Sequence, residues 1–432
     1  MKPWLATSWE LVDPTTWRFK LREGVEFTNG EPFNAEVVKF VYDELMNPDN
    51  AAAGQPYFTS VVEVKVVDDY TVEFVTDGPN PVLLVRLQAL YMMPPEYTKE
   101  VGHEEFDKHP IGTGAFKFVE WEKGDHVTLE ANPDWWNGAP KVDRITFRTI
   151  PEASARVASL LSGECDIVEV IPFDSIPQIE EAESKSIITR LGAITYVGLD
   201  TLHGGPLADR RVRQALNYAI DAEGIIEHIL SGYGQVVPAA LWPISPGWDP
   251  DLPVYNDKEK AKQLLAEAGY PDGFEFDFQF ASTIQALVQI KEVAEAIQSE
   301  LAQVGVTANL IEMESGALFD AYAESKLQAY FFPWRSNPEA ATHIRTLIHS
   351  QTRGYYYQNS EGDKLVDAYM SEMDPEKRYE IGKELNAFLH EDCPWIFMYF
   401  QQETLGVSDR VKWDMNTATY HAQYGLQLSP VE

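Results

Sequence analysis

"FEFDFQF", residues 274–280, sets the architecture of the second half of the chain. Phe274, Phe276, Phe278 and Phe280 alternate with Glu275, Asp277 and Gln279, the period of a strand with one buried face. Upstream, Asp257 stands as an N-cap before "KEKAKQLLAEAG", which closes at Gly269 as helices often do. Downstream, Leu287, Ile290, Ala294, Ile297 and Leu301 share one helical stripe. "VTANLIEM" then reads as a strand, a short helix follows, and "AYFF" reads as a third strand. That order implies an α/β fold, a parallel sheet with crossover helices. Ligands at such sheets bind just beyond the carboxyl ends of the strands.

The third strand runs into "WRSNPEA", residues 334–340, and this turn is a candidate site. Arg335 ends an apolar run on a guanidinium, and Asn337-Pro338 stops the strand. Farther out, "DRRVRQALNYAI" puts Val212, Ala215, Leu216 and Ala219 on one face of a helix. A last helix starts at Pro375 after Asp374, with Ile381, Leu385, Phe388 and Leu389 inward. "PWIFMYF" is apolar on both faces, as in a strand buried within a sheet.

The first half of the chain has a different rhythm. "TWRFKLREGVEF" alternates Trp17, Phe19 and Leu21 with Arg18, Lys20 and Arg22. "VVEVKVVDDYTVEFV" reads as a hairpin in which Val62, Val64 and Val66 face one way, Asp68-Asp69 turn, and Val72 and Phe74 return. "AFKFVEWEKGDHVTLEA" reads as another, turning at Lys123-Gly124, and Asn34 caps a helix carrying Val37, Val38, Val41 and Leu45. These elements make a strand-rich α+β unit over residues 15–140.

Composition limits the function. The 432 residues exceed what one hydrophobic core usually organises, about 250–300 residues. With 68 acidic and 34 basic side chains the formal charge is −34, which repels nucleic acid and anionic lipid. Such a charge also keeps a chain soluble and monomeric. No apolar run approaches the roughly 20 residues of a membrane helix. "MKPWLATSWE" has no basic segment followed by an apolar one, as an export signal requires. Cys165 and Cys393 lie far apart in apolar stretches, as buried thiols rather than a disulfide.

Catalytic motifs are missing: no GxSxG, HExxH or GxxxxGK[ST] is present. "GTGAFKF" opens a strand and reads as a turn. "HEDC", residues 390–393, reads as a solvated helix terminus, because consecutive residues cannot converge on one ion. His343 and His349 are six apart and do not share a helix face, so neither a metal site nor a cofactor is expected. Aromatic residues are abundant, with 11 Trp, 20 Tyr and 21 Phe. Several sit in loop-like contexts: Trp242 in "ALWPISPGW", Tyr355 and Tyr356 in "RGYYYQN", and Trp334.

"LATSWELVDPTTWRFKLREGVEFTNGEPFNAEVVKF", "HPIGTGAFKFVEWEKGD", "LLSGECDIVEVIP", "PLADRRVRQALNYAID", "AKQLLAEAGYPDGFEF" and "LHEDCPWIFMY" together resemble, in order, the extracellular solute-binding proteins of family 5. These are the dipeptide, oligopeptide and nickel receptors of ABC importers. The resemblance implies a periplasmic or cell-surface receptor, a bilobal periplasmic-binding-protein fold of type II-like cluster C, its lobes joined by two hinge crossings. Lobe I would take residues 1–199 and 404–432, including the strand-rich subdomain, and lobe II residues 200–403. It further implies a signal peptide and a stretch of strand ahead of "LATSWE", so a few tens of residues are expected to precede this chain.

For the site, the resemblance implies Asp200 in "VGLDTLHGG", at a crossing beside the ligand, and the "WRSNP" turn. Peptide-binding members place an aspartate after the tryptophan to pair with the ligand's free amine; here Asn337 stands nearest to it. An asparagine cannot replace that charge. Arg335 offers a fork suited to a carboxylate, a phosphate or several hydroxyls. Two roles stay open for it, holding an acidic or polyhydroxylated ligand or pairing with Glu339 or Asp200. The expected ligand-contact set is Trp334, Arg335, Asn337, Asp200, Trp242, Tyr355 and Tyr356. The expected partners are a small ligand (oligopeptide, sugar or organic acid) and a membrane permease. A peptide or metal-chelate receptor is the near alternative, and a secreted hydrolase the alternative of another class.

Overall fold

A computed structural model describes residues 2–182, 184–282, 289–335, 341–413 and 428–430. The chain forms two compact units, one from Met1–Glu152 with Asp409–Glu432 and the other Ala153–Ser408.

In the first unit, β1 (Ala6–Asp13), β2 (Thr16–Leu21), β3 (Val61–Asp68) and β4 (Thr71–Thr76) make an antiparallel sheet in the order β1-β2-β4-β3. Phe19, Val64, Val72 and Phe74 point from it onto helix Ala35–Met46, which presents Val37, Val38 and Val41. Asn34 caps that helix by accepting from the Val37 amide at 3.2 Å. One inward residue differs from expectation. Val62 is 60% exposed while Val61 is buried, because a bulge between Val61 and Glu63 shifts the alternation by one residue. A second sheet joins β5 (Phe116–Glu122), β6 (His126–Ala131) and β7 (Arg144–Arg148), and β15 (Val411–Trp413) pairs β16 (Leu428–Pro430).

The second unit is organised by a seven-stranded sheet. Its strands are β8 (Ile167–Glu169), β9 (Lys185–Leu199), β10 (Gly234–Val236), β11 (Glu275–Phe280), β12 (Thr307–Glu312), β13 (Ala329–Arg335) and β14 (Trp395–Ser408). The order is β10-β14-β9-β13-β11-β12, with β8 beside β14. β11 is parallel to both β12 and β13, as the Phe274–Phe280 reading requires. The remainder is antiparallel: β9 runs against β13 and β14, so the sheet is mixed.

Long strands β9 and β14 also move the domain boundaries. The expected division fell at 199/200 and 403/404; the compact units divide at 152/153 and 408/409. β9 pairs with β14 along almost its whole length and β8 pairs there too, which holds residues 167–199 in the second unit.

One face of this sheet carries Phe276, Phe278, Phe280, Phe331, Val197 and Ile396. Against it pack helices Arg210–Ala219, with Val212, Ala215, Leu216 and Ala219 fully buried, Lys258–Glu267, capped by Asp257, and Ile290–Ala302. Each such large side chain contributes about 1.5–3 kcal/mol. Leu287, read as part of the last stripe, lies outside the described residues. The long helix Pro375–Asp392 buries Leu385 and Leu389 as expected.

Candidate functional site

The carboxyl ends of the three parallel strands fall at Phe280, Glu312 and Arg335. Ser282 donates its hydroxyl to Glu312, tying two of these ends together. Trp334 is half-buried there, its ring centroid 6.0 Å from that of His343, on helix Ala341–Ile348. His343 is stacked in turn on Trp242, at 4.2 Å and 18°. Trp242 is fully buried, with the His343 ring between it and Trp334. At Arg335 only the backbone is described, opposite Ala193 of β9, and Asn337 lies outside the described residues.

Asp200, Tyr355 and Tyr356 belong to another place. Asp200 follows Leu199, which pairs with Ala329 at the beginning of β13. Six strand steps separate that end from Arg335, about 20 Å at roughly 3.3 Å per residue. Asp200 Oδ1 accepts from the amides of Leu202 and His203 and lies 2.8 Å from His203 Nδ1. It is a turn residue with local partners. Tyr356 is buried, its hydroxyl accepting from the Leu327 amide and its carbonyl holding the Thr201 amide and hydroxyl. The expected set therefore splits in two: Trp334 and Arg335 at the carboxyl end, with Trp242 behind Trp334, and Asp200 and Tyr356 at the other.

Between the two ends runs a layer of rings. Tyr322 is within 5.1–5.5 Å of Tyr330, Phe332, Tyr355 and Tyr356, centroid to centroid, and Tyr196 stacks on Trp395 at 4.1 Å. Tyr330 packs over Gly198, where a Cβ would stand 2.0 Å from Tyr330 Cζ. Burial pushes the Tyr322 and Tyr356 hydroxyls up to about 12, so both are neutral at physiological pH.

Two polar residues escaped the sequence reading. Gln401 of β14 is opposite Ala193, which is opposite Arg335 on the other side of β9. Its side chain is buried, and its Oε1 has no hydrogen-bond partner among the described residues. Nothing in the apolar run of β14 singles out a glutamine. Arg353 opens "RGYYYQN", and its place in the sequence beside three tyrosines is the signal that marks it. It is exposed, with no ion pair among the described residues, and its positive field opposes the burial shift of Tyr322.

"HEDC" is not a solvated terminus. Cys393 is buried in a left-handed conformation (φ 49°), and the buried Arg213 guanidinium donates to the carbonyls of Asp392 at 2.7 Å and Cys393 at 2.9 Å. Those bonds satisfy the carbonyls a helix end leaves open. Neither cysteine is in a disulfide. His349 is also structural, accepting from the Gln351 amide and lying 3.2 Å from Asp367.

Comparison with known proteins gives these features a setting. The family model described as "Bacterial extracellular solute-binding proteins, family 5 Middle" matches residues 1–355. Heme-binding protein A of Haemophilus influenzae is 30% identical, the match covering 99% of this chain and 84% of that protein. Glutathione-binding protein GsiB of Pectobacterium atrosepticum is 30% identical over 91% of this chain and 79% of its own length. The solved structure of MoaA from A. tumefaciens R10, in complex with mannopinic acid, is 25% identical with a TM-score of 0.81, covering 99% of this chain and 89% of that one. Among the described residues no helix is long and apolar enough to cross a membrane. The α/β fold class expected from residues 274–332 is that of these relatives, and the chain belongs to family 5 of the bacterial extracellular solute-binding proteins, the substrate-binding receptors of ABC importers.

Proposed function

We propose that this receptor captures an acidic or polyhydroxylated solute at the carboxyl end of β13, with Trp334 as an apolar wall and Arg335 as the anion-binding group, and delivers it to a membrane permease. The observation that carries the reading is where Asp200 lies. It is the one carboxylate among the expected ligand contacts, and it is engaged by Leu202 and His203 at the far end of the strand. An ammonium brought to Trp334 would have no carboxylate from that set to meet, and leaving it desolvated costs several kcal/mol, roughly 3–5. A carboxylate or a run of hydroxyls suits a guanidinium. The ligands in the relatives' names agree with this chemistry, since haem, glutathione and mannopinic acid all carry carboxylates.

Glutathione is also a peptide with a free amine, and that favours a second reading, a receptor for small acidic peptides. Thermal-shift titration of the full chain separates them. Sugar acids and opine-type acids are expected to stabilise the protein by about 2.7 kcal/mol at 100 times Kd, reversibly and with the ligand recovered unchanged. Stabilisation by neutral free-amine dipeptides in preference to acids would overturn the proposal. A ligand recovered cleaved would instead support the hydrolase alternative.

A further inference from the structure

Among the described residues, one group of histidine and carboxylate side chains is close enough together to hold a metal ion. It lies in the first unit, on the β5–β6 hairpin. Glu122, Asp125 and His126 each offer a ligand atom, and these atoms all lie within 4.8 Å of one another. The hairpin fixes them: Glu122 ends β5, His126 begins β6 as its register partner, and Asp125 closes the turn, its amide donating to the Glu122 carbonyl at 3.0 Å. A further carboxylate stands at the other edge of the ring. His126 Nδ1 is 2.6 Å from Asp125 Oδ2, and His126 Nε2 is 3.3 Å from Glu120 Oε1.

We infer that this hairpin binds a first-row divalent cation of the zinc type, with Glu122, Asp125 and one nitrogen of His126 as ligands. Glu120 takes the remaining nitrogen and orients the ring, the carboxylate–histidine–metal arrangement that raises ligand basicity. One imidazole with two carboxylates suits zinc, cobalt or manganese, whereas calcium and magnesium take oxygen alone. The imidazole, bracketed by acids on both edges, separates this group from an ordinary acidic turn. Lys123 in the turn and Arg148, cross-strand neighbour of His126, are the nearby cations, against three carboxylates. The ligands of this site belong to the first unit and share no residue with the proposed solute site.

The full chain, freed of metal by chelation, is titrated with zinc by calorimetry and with cobalt by its visible absorption. One equivalent is expected to bind, with the cobalt band of a site holding an imidazole nitrogen. His126→Ala and Glu122→Gln each weaken binding at least tenfold; Glu122 is exposed and His126 half-buried, and circular dichroism checks that the variants are folded. Glu120→Gln, which leaves the ligands in place, produces a smaller loss. No zinc or cobalt binding, binding unchanged in His126→Ala, or calcium binding that survives His126→Ala would each overturn the inference.

Discussion

The two faces of strand β13 differ in kind. Ala329 and Phe331 enter a core of Phe278, Val197, Ile396 and the aliphatic stripes of three helices. Tyr330, Phe332 and Trp334, on the alternate positions, face Tyr322, Tyr356 and His343. The first face holds aliphatic side chains and phenylalanine, with Phe278 and Phe331 meeting edge to face at 6.5 Å, and it contributes stability by burial. The second adds, beside Phe332, rings with hydroxyl, imidazole or indole groups, and such groups must be placed as well as buried. One strand therefore carries an aliphatic and phenylalanine core on one side and an aromatic layer tipped with polar groups on the other.

The contrast is tested most severely by truncating each side. Phe331→Ala should lose about 3–5 kcal/mol in urea denaturation, the range for a fully buried phenylalanine. A loss below about 1 kcal/mol would mean that the helix-packed face collapses around the gap and is not the stabilising side. Gly198→Ala probes the aromatic face through its backbone, because the new methyl would overlap the Tyr330 ring. Overpacking of this kind costs about 1–3 kcal/mol. Tyr330→Leu in the same chain should recover part of it; strict additivity of the two changes would show that the ring is not what Gly198 accommodates.

Trp334→Ala sharpens the comparison from the functional side. Its half-buried ring contributes less to stability than Phe331, so the denaturation midpoint should move less. Affinity for an acidic solute should fall at least tenfold, about 1.4 kcal/mol. Unchanged affinity with a large stability loss would place Trp334 with the core and move the binding surface elsewhere.

How much of this could be read beforehand follows from the range of each signal. The alternation in residues 274–280 is local, and β11 formed as read, parallel to its two neighbours. Val62 was misassigned because a bulge leaves no mark in a run of valines. β9 lies on the first-lobe side of the expected division, because its partner β14 is some 200 residues away and nothing within residues 185–199 announces that pairing. The placing of the expected site residues has the same long-range origin. Asp200 and Trp334 both sit next to turns, but which end of the sheet a turn occupies depends on strand direction. The antiparallel pairing of β9 with β13 sends them apart.

The smallest expected effect belongs to the helix-packed side. Asp209 caps helix Arg210–Ala219, accepting from the Arg211 amide at 2.9 Å, and pairs with the Arg211 guanidinium at 2.6 Å. The Arg211 side chain, followed by its amide, holds the carboxyl below its ordinary value. A depressed folded value means that the stabilisation is complete above the unfolded value, about 3.9, and is lost as pH falls through the folded one. Asp209→Asn retains the capping oxygen and removes the charge. The variant should be less stable than the parent at pH 7 by a few tenths to about 1 kcal/mol, the range of partly exposed pairs. Below pH 3 the two denaturation curves should approach each other. A gap of the same size at both pH values would show that the cap oxygen alone is at work and that the charge on Asp209 contributes nothing to this face of the sheet.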